Sequence, residues 1–417
     1  MSAGEDRGAA GERDAAGPGA TSATGATPAG GAAGTATGRD AVSVAAGAPS
    51  ADRPLIEVVE FTDPGCVWSW GSEPRLRWLR RHYGDQLSWR RVFGVQVDDL
   101  ARTHPTRDAV RDAGAFRDEW LVVAEHTDAP VPVRLERMHR STLPASYAVR
   151  AAERQDAERD AAERDAARSS DAAGPGAAGT SDAAGPGAVA SSAGGRGAER
   201  ASTAGDRATP GTAVPAAGDG IADRVLRRLR ESVFVHGRPA DTSERLVEAL
   251  AGIEGLDLER LLRDVDDPEI HRGLQADWEA TRNPHPAVVG RTGPGPNPGA
   301  AKQDGERVRY GFPTLIVRGP AGEQVIAGWN DVETLTGILE AAGVQPVDVT
   351  AVLEPDEALA RYRTLTAEDL RLSTGGREPR DAVRIETATT PLWVHPDEVG
   401  PVGGVEGARV GSAVAAD

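Results

Sequence analysis

The chain has 417 residues, with 64 acidic against 47 basic side chains and a formal net charge of −17. That balance weighs against a non-specific grip on nucleic acid or on an anionic membrane, since both need a basic footprint. No run is long enough for a transmembrane helix, the N-terminus lacks the basic start and apolar core of a signal peptide, and cytoplasm is the expected compartment.

Residues 1–52 are dominated by Gly, Ala, Thr, Ser, Asp and Glu with almost no apolar periodicity, which predicts a disordered N-terminal arm. The first folded segment is a strand at about 55–61, LIEVVEF. It runs into FTDPGCVWSWGSEP at 61–74, which holds the only cysteine, Cys66, at a strand-to-helix turn. One cysteine permits no intrachain disulfide and excludes cysteine-based zinc sites. A thiol at such a turn lies near the helix N-terminus, where unpaired N–H groups and the macrodipole favour the thiolate and lower its pKa. Ser69 stands where a dithiol enzyme carries its second cysteine. A C-x-x-S site can attack a disulfide but cannot resolve the product with a second thiol of its own. Asp63 before Pro64 reads as a turn former, and Trp70 and Trp78 as core. Leu76, Leu79 and Tyr83 recur on one face of a helix closed by Gly84. LSWRRVFGV at 87–95 is the second strand of a β-α-β opening.

From about 106 to 152 the pattern is helical but interrupted by Pro130, Pro132 and Pro144. Low-complexity sequence follows at about 154–219, with the octapeptide SDAAGPGA at 170–177 and again at 181–188. It is expected to be disordered, an insertion inside a helical insert spanning about 105–282. Ile221, Val225, Leu229 and Val233 repeat at helical spacing, Asp241 with Glu244 reads as a capping box, and Asp267-Pro268 as the N-cap and first position of another helix. Residues 283–300 form a proline-rich loop whose Gly-x-Gly fragment lacks the N–H groups of a phosphate cradle. LIVRGPAGEQVIAGW at 315–329 is a hairpin, and Asn330 with Glu333 reads as the start of the next helix. These segments make one domain over 53–345. Residues 346–417 form a C-terminal appendage with helical patterns at 353–363 and 366–373 and a hairpin around ETATTPLWV; a degenerate winged helix and a loosely docked, partly disordered tail are the two alternatives. The histidines show no metal-ligand spacing, no Walker or Gly-x-Ser-x-Gly pattern occurs, and no bound cofactor or metal is expected.

Asp63-Pro64-Gly65-Cys66-Val67-Trp68-Ser69 followed by Trp70 resembles the DsbA-like branch of the thioredoxin superfamily, the actinobacterial and FrnE-type proteins that usually read D-P-x-C-P-W-C. Pro74 falls where many thioredoxin-like helices carry a kinking proline. GFPTLIV at 311–317 resembles the strand entered by the family's cis-proline, here Pro313, and residues 223–257 resemble the helical insert of this branch. The resemblance covers about 54–150 and 221–343 and departs at Val67 and Ser69. It implies an α/β thioredoxin-like fold with a helical insert and a site in which Cys66 and Ser69 are catalytic. Pro313, Phe312, Thr314 and Trp68 bind substrate, and Cys66 is partly exposed with its sulfur near Pro313. The implied activity is monothiol thiol–disulfide exchange through a Cys66 mixed disulfide, resolved by an external thiol such as glutathione or mycothiol. The same branch includes 2-hydroxychromene-2-carboxylate isomerases and kappa-class transferases, in which a hydroxyl such as that of Ser69 activates a bound small thiol. A third reading is a non-catalytic binding protein on the thioredoxin scaffold. The sequence leaves the oligomeric state open.

Overall fold

The computed structural model describes residues 56–172, 220–293, 295–347 and 352–399. The expected arm at 1–52, most of the low-complexity insertion (173–219) and the ends of the appendage (348–351 and 400–417) lie outside the described residues.

The central strand β1 (Ile56–Thr62) is apolar and buried almost throughout, as a strand covered on both faces must be. Helix α1 (Val67–Tyr83) returns the chain to β2 (Leu87–Phe93), which pairs parallel to β1 from Ile56↔Leu87 to Thr62↔Phe93. Much later, β5 (Thr314–Gly319) pairs antiparallel to β1, and a tight turn at Pro320-Ala321 leads into β6 (Gly322–Ala327). Among the described residues these strands form a mixed sheet in the order β2-β1-β5-β6. A parallel β-α-β half joined through the central strand to an antiparallel hairpin and a closing helix is the thioredoxin-like arrangement. The fold is therefore α/β and thioredoxin-like, with a helical insert.

Strand alternation sorts the core. Ile56 and Val58 pack with Leu76, Trp78, Leu79 and Tyr83 of α1. Val59 and Phe61 pack instead with Cys66, Phe312 and Ile316. Full burial of a side chain of this size stabilises the fold by about 1.5–3 kcal/mol.

The insert begins with the short α2 (Leu100–Thr103) and α3 (Ala113–Thr127), then α4 (Leu143–Ala172) and α5 (Ile221–Phe234). It continues with α6 (Ser243–Leu250), α7 (Leu258–Asp264) and α8 (Pro268–Thr281). A short hairpin of β3 (Lys302–Asp304) and β4 (Arg307–Arg309) leads back to the sheet. The expectation that the chain loses order at about 154 is corrected here, because α4 continues to Ala172. Ala, Glu and Arg are strong helix formers, and the helix needs no nucleus of its own. Its early turns are anchored by Ala148, Val149, Ala151 and Ala152, all wholly buried. Glu158 on its exposed part meets Arg260 of α7 at 2.6 Å.

Two predicted caps also shift by one residue. Thr242, not Asp241, caps α6 by accepting from the Arg245 amide. The Asp241 carboxylate is held by Arg137 at 2.7 Å and accepts the Arg140 amide at 2.7 Å. Asp331 caps α9 (Val332–Ala341), while the Asn330 amide donates to the carbonyls of Ala327 and Gly328. The predicted N-cap at Asp267, with Pro268 next, stands as read.

Residues 352–399 run α10 (Pro355–Tyr362), β7 (Thr364–Leu365), α11 (Ala367–Ser373), β8 (Val383–Ile385) and β9 (Leu392–Val394). Among the described residues their strands pair in the order β7-β9-β8. The segment is not loosely docked. Leu392 and Val394 enter the apolar cluster that holds Trp70, Trp120 and Phe234. Arg77 of α1 reaches Asp369 at 2.7 Å, and Thr389 donates to the Ala129 carbonyl at 2.8 Å. Ala358, Leu359, Tyr362, Leu365, Leu370 and Trp393 form a small apolar cluster of the segment's own.

Candidate active site

The turn between β1 and α1 is built around Asp63. Its carboxylate accepts from the Gly65 amide (2.7 Å), the Gln96 amide (2.7 Å) and the Thr142 hydroxyl (3.0 Å). Its backbone carbonyl accepts the Cys66 amide at 3.2 Å. Asp63 is thus more than a turn former, tying the active-site turn to the entry of α4. Gly65 is required there, since a Cβ would lie 2.7 Å from His139 Cε1 and 2.7 Å from the Thr142 methyl. Cys66 is the N-cap of α1, with an extended backbone, and the Trp70 amide donates to its carbonyl at 3.0 Å.

The structure brings Cys66 and the Pro313 motif together. The Cys66 Sγ lies 3.9 Å from the Phe312 carbonyl oxygen, and the Phe312–Pro313 bond is cis. The same oxygen accepts the Asn297 side-chain amide at 3.2 Å. The Phe312 ring lies against Gly94, where any Cβ would collide with it at 1.9 Å. Thr314 is fully buried and donates its hydroxyl to the Gly311 carbonyl at 2.7 Å, so it positions the Pro313 loop and is not open to a substrate. Trp68 is half-buried and stacks nearly parallel on His126 at 6.4 Å. Trp70 and Trp78 are core, as read from the sequence.

Cys66 itself differs from expectation. It is 5% exposed, not an open thiol. Burial pushes its pKa above the ordinary thiol value; the amide and hydroxyl of Ser69 and the Trp68 amide pull the other way, and the Asp63 charge adds to the rise. The helix N-terminus does favour the thiolate, but desolvation in an apolar cluster outweighs it. The contact with the Phe312 carbonyl works in the same direction, because only the protonated sulfur can donate to it.

Ser69 is 1% exposed, and its Oγ makes no hydrogen bond of ordinary geometry among the described residues. Its coupling is to the Cys66 sulfur, where hydroxyl and amide both stabilise negative charge. Arg309 is half-buried, with its guanidinium 4.9 Å from the Phe312 ring centre. Burial lowers its pKa and the charges of Cys66 and Asp63 raise it. His139, behind the Gly65 turn, is pushed down to about 4 by burial, with Asp241 opposing and Arg137 and His104 adding to the fall.

Asn297, Arg309, Gln96, Thr142 and His139 are the site residues that sequence reasoning missed. His139 and Thr142 share the connection between α3 and α4, Gln96 and Asn297 lie in two other loops, Arg309 ends β4, and none stands in a motif. Among the described residues no group of three or more His, Cys, Asp or Glu is placed to hold a metal ion, and no helix is long and apolar enough to cross a membrane.

No family model matches the chain, and no curated protein matches it either. Solved structures similar to it include a protein assigned as a disulfide isomerase from Nitrosomonas europaea, at 13% identity over 69% of this chain and 96% of that one, TM-score 0.41. The cytosolic disulfide reductase DsbM from Pseudomonas aeruginosa, also solved with GSH, is 15% identical over 65% of this chain and 88% of its own, TM-score 0.36. A protein assigned as a DsbA oxidoreductase from Streptomyces coelicolor is 16% identical over 72% of this chain and 94% of its own, TM-score 0.36.

Proposed function

We propose that this chain is a thiol–disulfide oxidoreductase of monothiol type, with Cys66 as the nucleophile. The observation that supports this reading is the Cys66 sulfur at the start of α1 against the Phe312–Pro313 carbonyl, with Ser69 in place of a second thiol. The thiol first loses its proton to solvent, aided by the Ser69 hydroxyl and amide. The thiolate attacks one sulfur of a disulfide R–S–S–R′; the new S–S bond joins Cys66 to R–S, and R′–S⁻ leaves with the electron pair and takes up a proton. Ser69 has no sulfur with which to displace R–S. An external small thiolate, from glutathione or mycothiol, attacks the mixed disulfide and returns Cys66 to its thiolate. In this reading the backbone beside Pro313 and the half-buried face of Trp68 hold the substrate, and the small thiol is a co-substrate.

Mass spectrometry after exposure to glutathione disulfide tests the reading. Wild type should carry a persistent glutathione adduct that added thiol removes, and Cys66→Ser should carry none. Ser69→Cys should trade the adduct for an intramolecular disulfide. The burial of Cys66 favours one second reading, a non-catalytic binding protein. Absence of any adduct on folded wild type under prolonged exposure would select it.

A further inference from the structure

Beside Cys66 lies a cation that the exchange step leaves unused. Arg309 ends β4 and precedes Tyr310, whose ring stacks on Phe61 at 4.1 Å in the apolar cluster that holds the sulfur. Its guanidinium rests against the Phe312 ring, 4.9 Å from the ring centre, and the carbonyl of that same residue is 3.9 Å from the Cys66 Sγ. The charges that act most strongly on Arg309 are those of Cys66 and then Asp63.

The guanidinium is only partly satisfied. Nη1 donates to the Tyr310 carbonyl at 2.9 Å. Among the described residues Nε and Nη2 make no hydrogen bond, and neither is sealed from solvent. No carboxylate of that set lies within ion-pair distance of Arg309. Asp304 of the same hairpin is taken by Arg282 at 2.5 Å, and Arg307 by Glu279 at 2.9 Å. Asp63 is wholly buried, and its carboxylate already accepts from Gly65, Gln96 and Thr142.

A second cation stands next to the first. Lys302, the chain's single lysine, pairs in register with Arg309 across the hairpin; it is exposed and has no carboxylate partner among the described residues. Residues directly opposite each other leave the same face of an antiparallel ladder, and like charges there are destabilising. An anion between them would relieve that cost. The Nε and Nη2 edge of Arg309 is the side of the guanidinium that grips a carboxylate with two parallel bonds.

We propose that Arg309, with Lys302 beside it, selects small disulfides that carry a carboxylate a few bonds from the sulfur. This inference rests on the thiol–disulfide reading above and names the substrate class within it, anionic disulfides ahead of neutral or cationic ones. The exchange step keeps its chemistry. With dithiodipropionate, the Cys66 thiolate attacks one sulfur and the new S–S bond joins Cys66 to one mercaptopropionate. The other leaves with the electron pair and takes up a proton.

Mass spectrometry of the full chain tests this through the rates of adduct formation with dithiodipropionate, hydroxyethyl disulfide and cystamine. The three share an ethylene spacer and differ in charge, and each rate is divided by that of free mercaptoethanol with the same disulfide. After that correction dithiodipropionate should react about tenfold faster than the neutral disulfide, with cystamine slowest and the spread shrinking as salt is added. Arg309→Gln should bring the anionic and neutral rates within about twofold of each other. Arg309→Lys should keep part of the preference, and Lys302→Gln should lose a smaller part of it. The ratio is decisive because a change in folding or in the reactivity of the thiol moves all three rates together. If Arg309→Gln melts early, the exposed Lys302→Gln and the salt dependence of wild type read the same ratio. Equal corrected rates, or an anion preference that survives Arg309→Gln, would overturn the inference and leave the thiol–disulfide reading standing. No adduct with any of the three would overturn both.

Discussion

The start of α1 and its later turns treat buried charge in opposite ways. At its N-terminus, Cys66 sits in an apolar cluster and burial keeps the sulfur protonated. More than two turns along, Arg75, Arg77 and Arg80 are just as buried, yet each meets a carboxylate brought from another element: Glu368, Asp369 and Glu60. A thiol escapes the desolvation penalty by holding its proton. A guanidinium cannot shed its charge, so it must be paired. The proposed reaction requires the first region to change charge, whereas the second has a fixed charge pattern that depends on its partners staying in place.

The largest effect should come from breaking a pair in the second region. Arg230 is 1% exposed and bonds to Glu73 and to the Thr62 hydroxyl at 2.9 Å. Burial would raise the Glu73 pKa, but the Arg230 and Arg77 charges hold it below the usual carboxylate range. Arg230→Leu should cost about 3–5 kcal/mol in urea unfolding, because it strands a buried carboxylate. The Arg230→Leu, Glu73→Leu double variant should recover much of the loss. A single variant of near-wild-type stability would show that the pair is solvated and dissolve the contrast.

Acid should reach the region behind the active-site turn next. His139 is held neutral in the folded chain, with its pKa lowered to about 4 by burial. A depressed folded value means that the neutral ring's contribution is fully present above the unfolded pKa of about 6.5 and is lost as pH falls toward 4. The loss should amount to about 3 kcal/mol across that window. His139→Asn should be less stable at neutral pH but flatter between pH 6.5 and 4, as read by the urea midpoint at each pH. An equal slope in the variant would place the acid-labile group elsewhere.

Smaller effects should mark the thiol itself. Alkylation of Cys66 by iodoacetamide should have its midpoint above the free-cysteine value of about 8.5, since burial raises this thiol. Asp63→Asn removes the repelling charge, so alkylation at fixed pH should speed up about three- to tenfold. A slower reaction would mean that the Asp63 bonds to Gly65 and Gln96 matter to the thiolate more than its charge does. The smallest test concerns the caps. Thr242→Ala should cost about 1 kcal/mol and leave Cys66 alkylation unchanged.

Much of the sheet was legible because its signals are local. The apolar run of β1, the i, i+3, i+7 spacing of Leu76, Leu79 and Tyr83, and the Gly-Pro-Ala-Gly turn each specify an element within a few residues. The helix cap at Asp267 was readable for the same reason, whereas Asp241 was misplaced because its partner Arg137 lies far off in the chain. The reach of α4 to Ala172 was hidden by repetitive composition, although that composition favours helix once the preceding turns are anchored.

At the candidate site the sequence by itself determined the chemistry available: one sulfur, a hydroxyl three residues on, and a proline motif far downstream. The nearness of Cys66 to the Pro313 motif was expected from the resemblance; only the tertiary structure decided that Asn297 and Arg309 join them, and that the thiol is buried and protonated rather than open and ionised. It also decided that the arginines of α1, β2 and α5 share one cavity. The physical reason is range. Backbone propensity and apolar period act over a few residues, but desolvation and charge pairing depend on every atom within several ångströms, and those atoms come from segments hundreds of residues apart.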